Sequence, residues 1–193
     1  MSLTIRKATL DDAPLLLRVV DMASDGLLPT LWAKMAPSGL DGAAVGEALV
    51  TAEDGDFSYR NGFIAEQDGA KTGGLIGYRL PTTPKPIGPD VPEVFVGIEE
   101  LAHLVPGHWY INFMAVVPDG RGHGVGTALL REAEKQARES GSPGLALIVA
   151  ATNENAIRVY QRAGYAERER RPFDLSDFGE APTEAILMTK DLV

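Results

Sequence analysis

The sequence predicts an α/β chain, α+β in detail, in which a mixed central sheet of about six to seven strands carries helices on both faces. Three observations carry that prediction. The run Trp109-Tyr110-Ile111-Asn112-Phe113-Met114-Ala115-Val116-Val117 is rich in aromatic and β-branched residues, as a buried strand requires, and Pro118 ends it. A glycine-rich junction then leads into an amphipathic helix, in which Val125, Leu129, Ala133 and Ala137 recur at helical spacing until Gly141 stops it. The short apolar run from Leu145 to Ala150 reads as a strand buried on both faces, and a second helix, Glu154 to Ala163, follows it.

The remaining elements follow in chain order. Leu3 to Ala8 reads as a first strand, with Asp11 and Asp12 as capping candidates for a helix that has Pro14 in its first turn and carries Leu15 to Val20. Residues 21–60 contain several Gly and Pro and read as a substrate-side loop with one weaker helical stretch, Ala43 to Val50. Gly62 to Glu66 and Gly74 to Leu80 read as a hairpin about the turn dipeptide Asp68-Gly69. Prolines exclude regular structure from Pro81 to Pro92, because proline lacks the donor that a strand ladder needs. Glu93 to Leu104 reads as a short helix, and Tyr165 to Arg168 and Ala185 to Lys190 as short strands. The alternating run Glu167-Arg168-Glu169-Arg170-Arg171 is expected to be a solvated strand or loop.

Composition narrows the function. One domain spanning 1–193 is expected, with residues 81–108 as a loop and helix insertion lining an acceptor site. The absence of cysteine excludes disulfides, thiolate metal sites and a covalent cysteine intermediate. A net charge of -9 argues against a nucleic-acid partner, whose phosphates are bound by clustered Lys and Arg, and is compatible with a cationic amine substrate. No signal-peptide core follows Met1, and no run reaches the roughly 18 apolar residues of a membrane span, so a cytoplasmic protein without membrane partners is expected.

The junction from Arg121 to Thr127 points to an anion. A helix N-terminus offers unpaired N–H groups and a partial positive charge, glycine lets a phosphate approach the main chain, and Arg121 adds a cation with several donors. The P-loop pattern fails because this loop has no Lys. The dinucleotide pattern G-x-G-x-x-G fails because Val125 and Thr127 stand where its last glycine would fall.

Arg121-Gly122-His123-Gly124-Val125-Gly126 matches Arg/Gln-x-x-Gly-x-Gly/Ala and so resembles the pyrophosphate loop of the GCN5-related N-acetyltransferases. A second segment, Asn153 to Tyr165, is similar to that family's Asn-x-x-Ala…Tyr…Gly-Phe/Tyr block, at about the family's separation from the first. The resemblance implies a GNAT-like sheet whose central strand splays from the next parallel strand, and acetyl-CoA as cosubstrate with no metal. It implies cofactor contacts from Met114, Ala115, Val116 and Val117, from Arg121, Gly122, His123, Gly124, Val125, Gly126 and Thr127, and from Asn153, Ala156 and Tyr160. It further implies transfer of an acetyl group to a primary amine by direct attack in a ternary complex, with a small amine or a peptide as acceptor and a homodimer as a common assembly.

Tyr160 lies on the same helical face as Ala156, and its phenol, protonated at neutral pH, can return a proton to a leaving thiolate. Asn153 and Asn155 both suit the cap of that helix. The general base is less defined. Many members of the family carry a Glu on the central strand where this chain has Asn112, which leaves Glu99, Glu100, His103 or His108, acting directly or through water. Trp32, Met35, Phe57, Tyr59 and Phe95 are further candidates for acceptor walls. Asn112 also raises the alternative of a non-catalytic acyl-CoA sensor or interaction module.

Overall fold

The computed structural model describes residues 2–36, 41–89, 91–179 and 181–192. Residues 37–40 of the expected substrate-side loop, Asp90 of the proline-rich loop and the side chain of Met35 lie outside the described residues. Seven strands form one mixed sheet in the order β1-β2-β3-β4-β5-β7-β6. The strands are β1 (Leu3–Lys7), β2 (Gly62–Gln67), β3 (Ala70–Arg79), β4 (Trp109–Val116), β5 (Gly144–Ala150), β6 (Ala166–Phe173) and β7 (Thr183–Asp191). The helices are α1 (Ala13–Ala23), α2 (Leu27–Met35), α3 (Gly42–Thr51), α4 (Glu93–His103), α5 (Val125–Glu139) and α6 (Glu154–Arg162). Among the described residues no helix is long and apolar enough to cross a membrane.

The chain divides into two compact units, Met1–Tyr78 with Asn112–Glu132 and Arg79–Ile111 with Ala133–Val193. In the first unit β1, β2 and β3 form an antiparallel meander. The hairpin between β2 and β3 turns on Asp68 and Gly69, with φ of 49° and 83°. Two successive positive φ values mark the tight turn whose twist suits a two-residue hairpin. Strand β3 therefore starts at Ala70, where the sequence predicts only Gly74, because Ala70 and Lys71 pair with Gln67 and Glu66. Leu16, Val19, Ile64, Leu75, Ile76 and Leu129 are fully buried in this unit.

Two expectations fail here. Residues 27–35 are helical, although Gly26 and Pro29 read as loop signals. Gly26, with φ 79°, opens the helix, and Pro29 falls in the first turn, where no intrahelical donor is needed. Burial of Leu28, Leu31 and Trp32 at helical spacing then holds it. Asp12 stands at the N-cap position of α1, but its side chain makes no capping hydrogen bond there. It is fully buried, and its carboxylate accepts from Arg6 at 2.7 and 3.0 Å, from the Thr9 amide at 2.9 Å and from Lys71 at 2.6 Å. That network ties β1 and β3 to the entry of α1 and holds the Asp12 carboxyl well below the usual carboxylate range, chiefly through Arg6.

In the second unit β7 pairs antiparallel with both β5 and β6. Leu145, Ala146 and Leu147 are buried, as a two-sided strand requires. Strand β6 runs to Phe173, well past the expected end at Arg168. Its charge alternation obscures the strand pattern, yet the charges satisfy each other: Arg170 donates to Glu167 at 2.6 Å and to Glu184 at 2.9 Å. Helix α4 packs on β6 so closely that a Cβ at Gly97 would stand 3.0 Å from the Pro172 carbonyl oxygen.

Candidate functional site

The first unit carries the anion loop. The last residues of β4, Asn112 to Val116, are half-buried, and beyond them the Val117 amide donates to the Thr72 carbonyl at 3.0 Å. A single turn, Pro118–Gly120, follows, and its end is pinned by contact: a Cβ at Gly120 would meet the Thr72 Cβ and carbonyl oxygen at 2.8 Å. Arg121, Gly122, His123 and Gly124 are then fully on the surface. Arg121 lies back on the strand end, its Nε donating to the Val116 carbonyl at 3.3 Å.

The glycines of this loop have different causes. Gly122 and Gly124 have φ of 78° and 81°, which side chains other than glycine rarely adopt. Gly126 has no such requirement, and a Cβ there would meet only the Val116 Cγ2, at an easy 3.8 Å. Glycine in a helix costs up to about 1 kcal/mol relative to alanine, so neither backbone nor packing accounts for it. What remains is its position in the first turn of α5, where N–H groups without helical partners can receive an anion.

Beside the loop in sequence, β4 carries an aromatic stack that only partly matches the expected acceptor walls. Phe57 stacks on Phe113 with ring centroids 5.2 Å apart, and Trp32 meets Phe57 edge-on at 5.6 Å. Asn112, the residue at the position where the resemblance implied a carboxylate base, donates from Nδ2 to the Asp56 carbonyl at 3.3 Å. Its amide thus anchors the segment that presents Phe57. Tyr59 is turned to Glu53, to which its hydroxyl donates at 3.0 Å. Phe113 was missed in the sequence because its composition alone fits an ordinary strand residue.

The second unit carries the helix block. Asn153, not Asn155, caps α6: its side chain accepts from the Ala156 amide at 3.1 Å, whereas Asn155 accepts from Arg158. Ala156, Ile157, Val159 and Tyr160 are half-buried, and no residue of α6 is fully buried. Desolvation pushes the Tyr160 hydroxyl up to about 12, so it holds its proton throughout the neutral range. Tyr165, at 4% exposure, packs against it with ring centroids 5.9 Å apart.

The expected bases are placed less favourably. Glu99 and Glu100 are exposed on α4, and Glu100 accepts from the Arg171 Nε at 3.0 Å. His103 is half-buried, and the His108 Nδ1 stands 3.4 Å from the Pro106 carbonyl oxygen. Beyond the loop, only a short stretch of β4 pairs with β5: Trp109, Tyr110 and Ile111 lie opposite Leu145, Ala146 and Leu147 in a parallel register, although β5 continues to Ala150.

The model of the acetyltransferase (GNAT) family matches residues 46–165, more than half of the chain and both motif blocks. The chain belongs to this family. An uncharacterised N-acetyltransferase of Methanocaldococcus jannaschii is 41% identical over 59 residues, covering 31% of this chain and 26% of the relative. The chain thus spans about a quarter of the length of the curated relative it matches. An N-acetyltransferase from Staphylococcus aureus shares the GNAT fold, with a TM-score of 0.67 at 20% identity over 96% of this chain and 99% of that one. A candidate streptothricin acetyltransferase of Bacillus anthracis, solved in complex with acetyl coenzyme A, aligns at a TM-score of 0.52 and 17% identity over 68% of this chain and 61% of that one.

Proposed function

We propose that this GNAT protein is a cytoplasmic N-acetyltransferase that moves the acetyl group of acetyl-CoA to a primary amine, on a small molecule or a peptide, by direct attack in a ternary complex. The observation that carries the proposal is Gly126, a helical glycine in the first turn of α5 that neither φ nor packing requires. The pyrophosphate takes the N–H groups from Gly122 to Thr127, with Arg121 as counter-charge and His123 beside it. Pantetheine pairs with the main chain from Met114 to Val117, and Asn153, Ala156 and Tyr160 complete the contacts along α6. The chain acts as one domain over 1–193, and residues 81–108 line the acceptor side.

The chemistry then needs few groups. The neutral amine nitrogen attacks the thioester carbonyl carbon, a C–N bond forms, and an N–H of the β4 main chain faces the developing oxyanion. Collapse breaks the C–S bond, and the departing sulfur takes the Tyr160 proton. The proton of the attacking amine leaves through Glu99 or Glu100, directly or through water. Glu100 is the weaker choice because Arg171 already claims its carboxylate.

Asn112 favours one other reading, a module that binds acyl-CoA without turning it over, since its amide accepts no proton and is already committed to Asp56. Thiol release from acetyl-CoA across a panel of amines, wild type against Tyr160→Phe, separates the two. Amine-dependent release that Tyr160→Phe removes supports the enzyme. Tight CoA binding without release for any amine supports the module.

A further inference from the structure

Helices α1, α2 and α3 of the first unit meet around a cavity of about 340 Å³ that opens to solvent. That volume lies at the small end of the range for ligand pockets. Two glycines of α3 set its walls. A Cβ at Gly42 would collide with the Pro29 carbonyl oxygen, and one at Gly46 would stand 2.5 Å from the Trp32 ring and 2.7 Å from the Leu17 Cδ1. Helix α3 therefore lies as close to its neighbours as the backbone allows, and the cavity is shaped by packing before any ligand arrives. Leu17, Pro29, Trp32 and Ala43 give it an apolar lining.

Two side chains of opposite charge line the same cavity, Arg18 and Asp21, one turn apart on α1. Residues at that spacing are neighbours on a helix surface, yet among the described residues the two charged groups pair neither with each other nor with any other side chain. Asp21 also stands in the last turn of α1, where the carbonyl ends favour a cation, and that turn holds no basic residue. The cavity thus offers a seat for a cation, a forked donor suited to a carboxylate, and an apolar floor. An α-amino acid carries both charges on one carbon, with its side chain on the same atom. We propose that the cavity binds a free α-amino acid with an apolar side chain, its ammonium on Asp21, its carboxylate on Arg18 and its side chain against Trp32 and Leu17. No residue of β4 or of the Arg121–Thr127 loop lines the cavity, so this ligand is additional to the acetyl acceptor.

The test is an NMR titration of the folded protein with L-leucine, and with leucinamide, N-acetyl-L-leucine and glycine, which lack in turn the carboxylate, the ammonium and the apolar side chain. L-leucine is expected to give saturable shifts at the amides around Arg18 and Asp21 and at the Trp32 indole, and each analogue to bind about tenfold more weakly or worse. Arg18→Gln and Asp21→Asn change exposed side chains, so the fold is retained, and each is expected to weaken L-leucine about tenfold with CoA binding unchanged. Arg18→Gln should cost leucinamide nothing further, and Asp21→Asn should cost N-acetyl-L-leucine nothing further, because the group each side chain holds is already gone. No saturable response to L-leucine, L-methionine or L-phenylalanine up to about 10 mM, tenfold above a millimolar Kd, overturns the proposal. Binding that survives both substitutions overturns it too, since the amino acid then sits elsewhere, as an acetyl acceptor would. So does equal binding of L-leucine and either blocked analogue, which would leave a site for a single charge.

Discussion

In the proposed reading the Arg121–Gly126 loop and the end of α6 both have negative charge to manage, and they do so in opposite ways. The loop meets a permanent charge with exposed main-chain donors, and its side chains are largely removed to make room. In that reading the end of α6 meets a charge that exists only as the thioester breaks, with the half-buried phenol of Tyr160. A fixed anion can be held in water by prearranged dipoles, whereas a transient one is best matched where water is scarce. Binding and chemistry should therefore separate cleanly on mutation.

The largest effect should come from Tyr160→Phe. Loss of the general acid is expected to reduce kcat by about 10²- to 10³-fold while the affinity for acetyl-CoA, measured by calorimetry, stays within about twofold. A matching loss of affinity would show that the Tyr160 hydroxyl serves to hold the cofactor and not to donate a proton, and would erase the distinction.

The Asp12 network includes no residue of the loop or of α6 and serves as a stability control. Asp12→Asn is expected to cost about 2 kcal/mol in denaturant unfolding, below the range for fully buried pairs because Arg6 and Lys71 are each more than a third exposed. The folded Asp12 resists protonation, so the unfolded chain takes up the proton first, near pH 4. Its stabilisation is thus present above about pH 4 and declines as pH falls further. Melting curves between pH 5 and pH 3 should lose this component in wild type and lack it in Asp12→Asn, with the CoA affinity at pH 7 unaffected.

A smaller effect sharpens the contrast on the loop side. Gly126→Ala is expected to stabilise the fold slightly, by up to about 1 kcal/mol, and to weaken acetyl-CoA binding about tenfold with kcat nearly unchanged at saturation. Unaltered affinity would mean that the open space at Gly126 is not a ligand's. Arg121→Ala should do less, about three- to tenfold in Kd, and the deficit should shrink as salt is added, because the guanidinium is exposed.

The same contrast explains what could be read from the sequence. A turn built from backbone leaves its mark in residue identities, so the junction between β4 and α5, with the positive φ of Gly122 and Gly124, was legible, as were the Asn153 cap and most strand and helix positions. Helix α2 was hidden because Pro29 and Gly26 act as breakers in the interior of a helix and as openers in its first turn, and only the burial of Trp32 tells which. The length of β6 was hidden because its pairing partner, β7, is distant in sequence and its charges mimic a solvated loop. The engagement of Glu100 by Arg171 and the cavity that Arg18 and Asp21 share with Trp32 depend on tertiary contacts that no local pattern encodes.

The most direct measurement is an amide-resolved NMR titration of the folded protein with CoA. The account predicts saturable shifts concentrated on the N–H groups of Gly122, Gly124, Val125, Gly126 and Thr127, lost in Gly126→Ala at the same CoA concentration. Saturable binding that leaves these amides unmoved, or folded protein that does not respond to CoA at all, would contradict it.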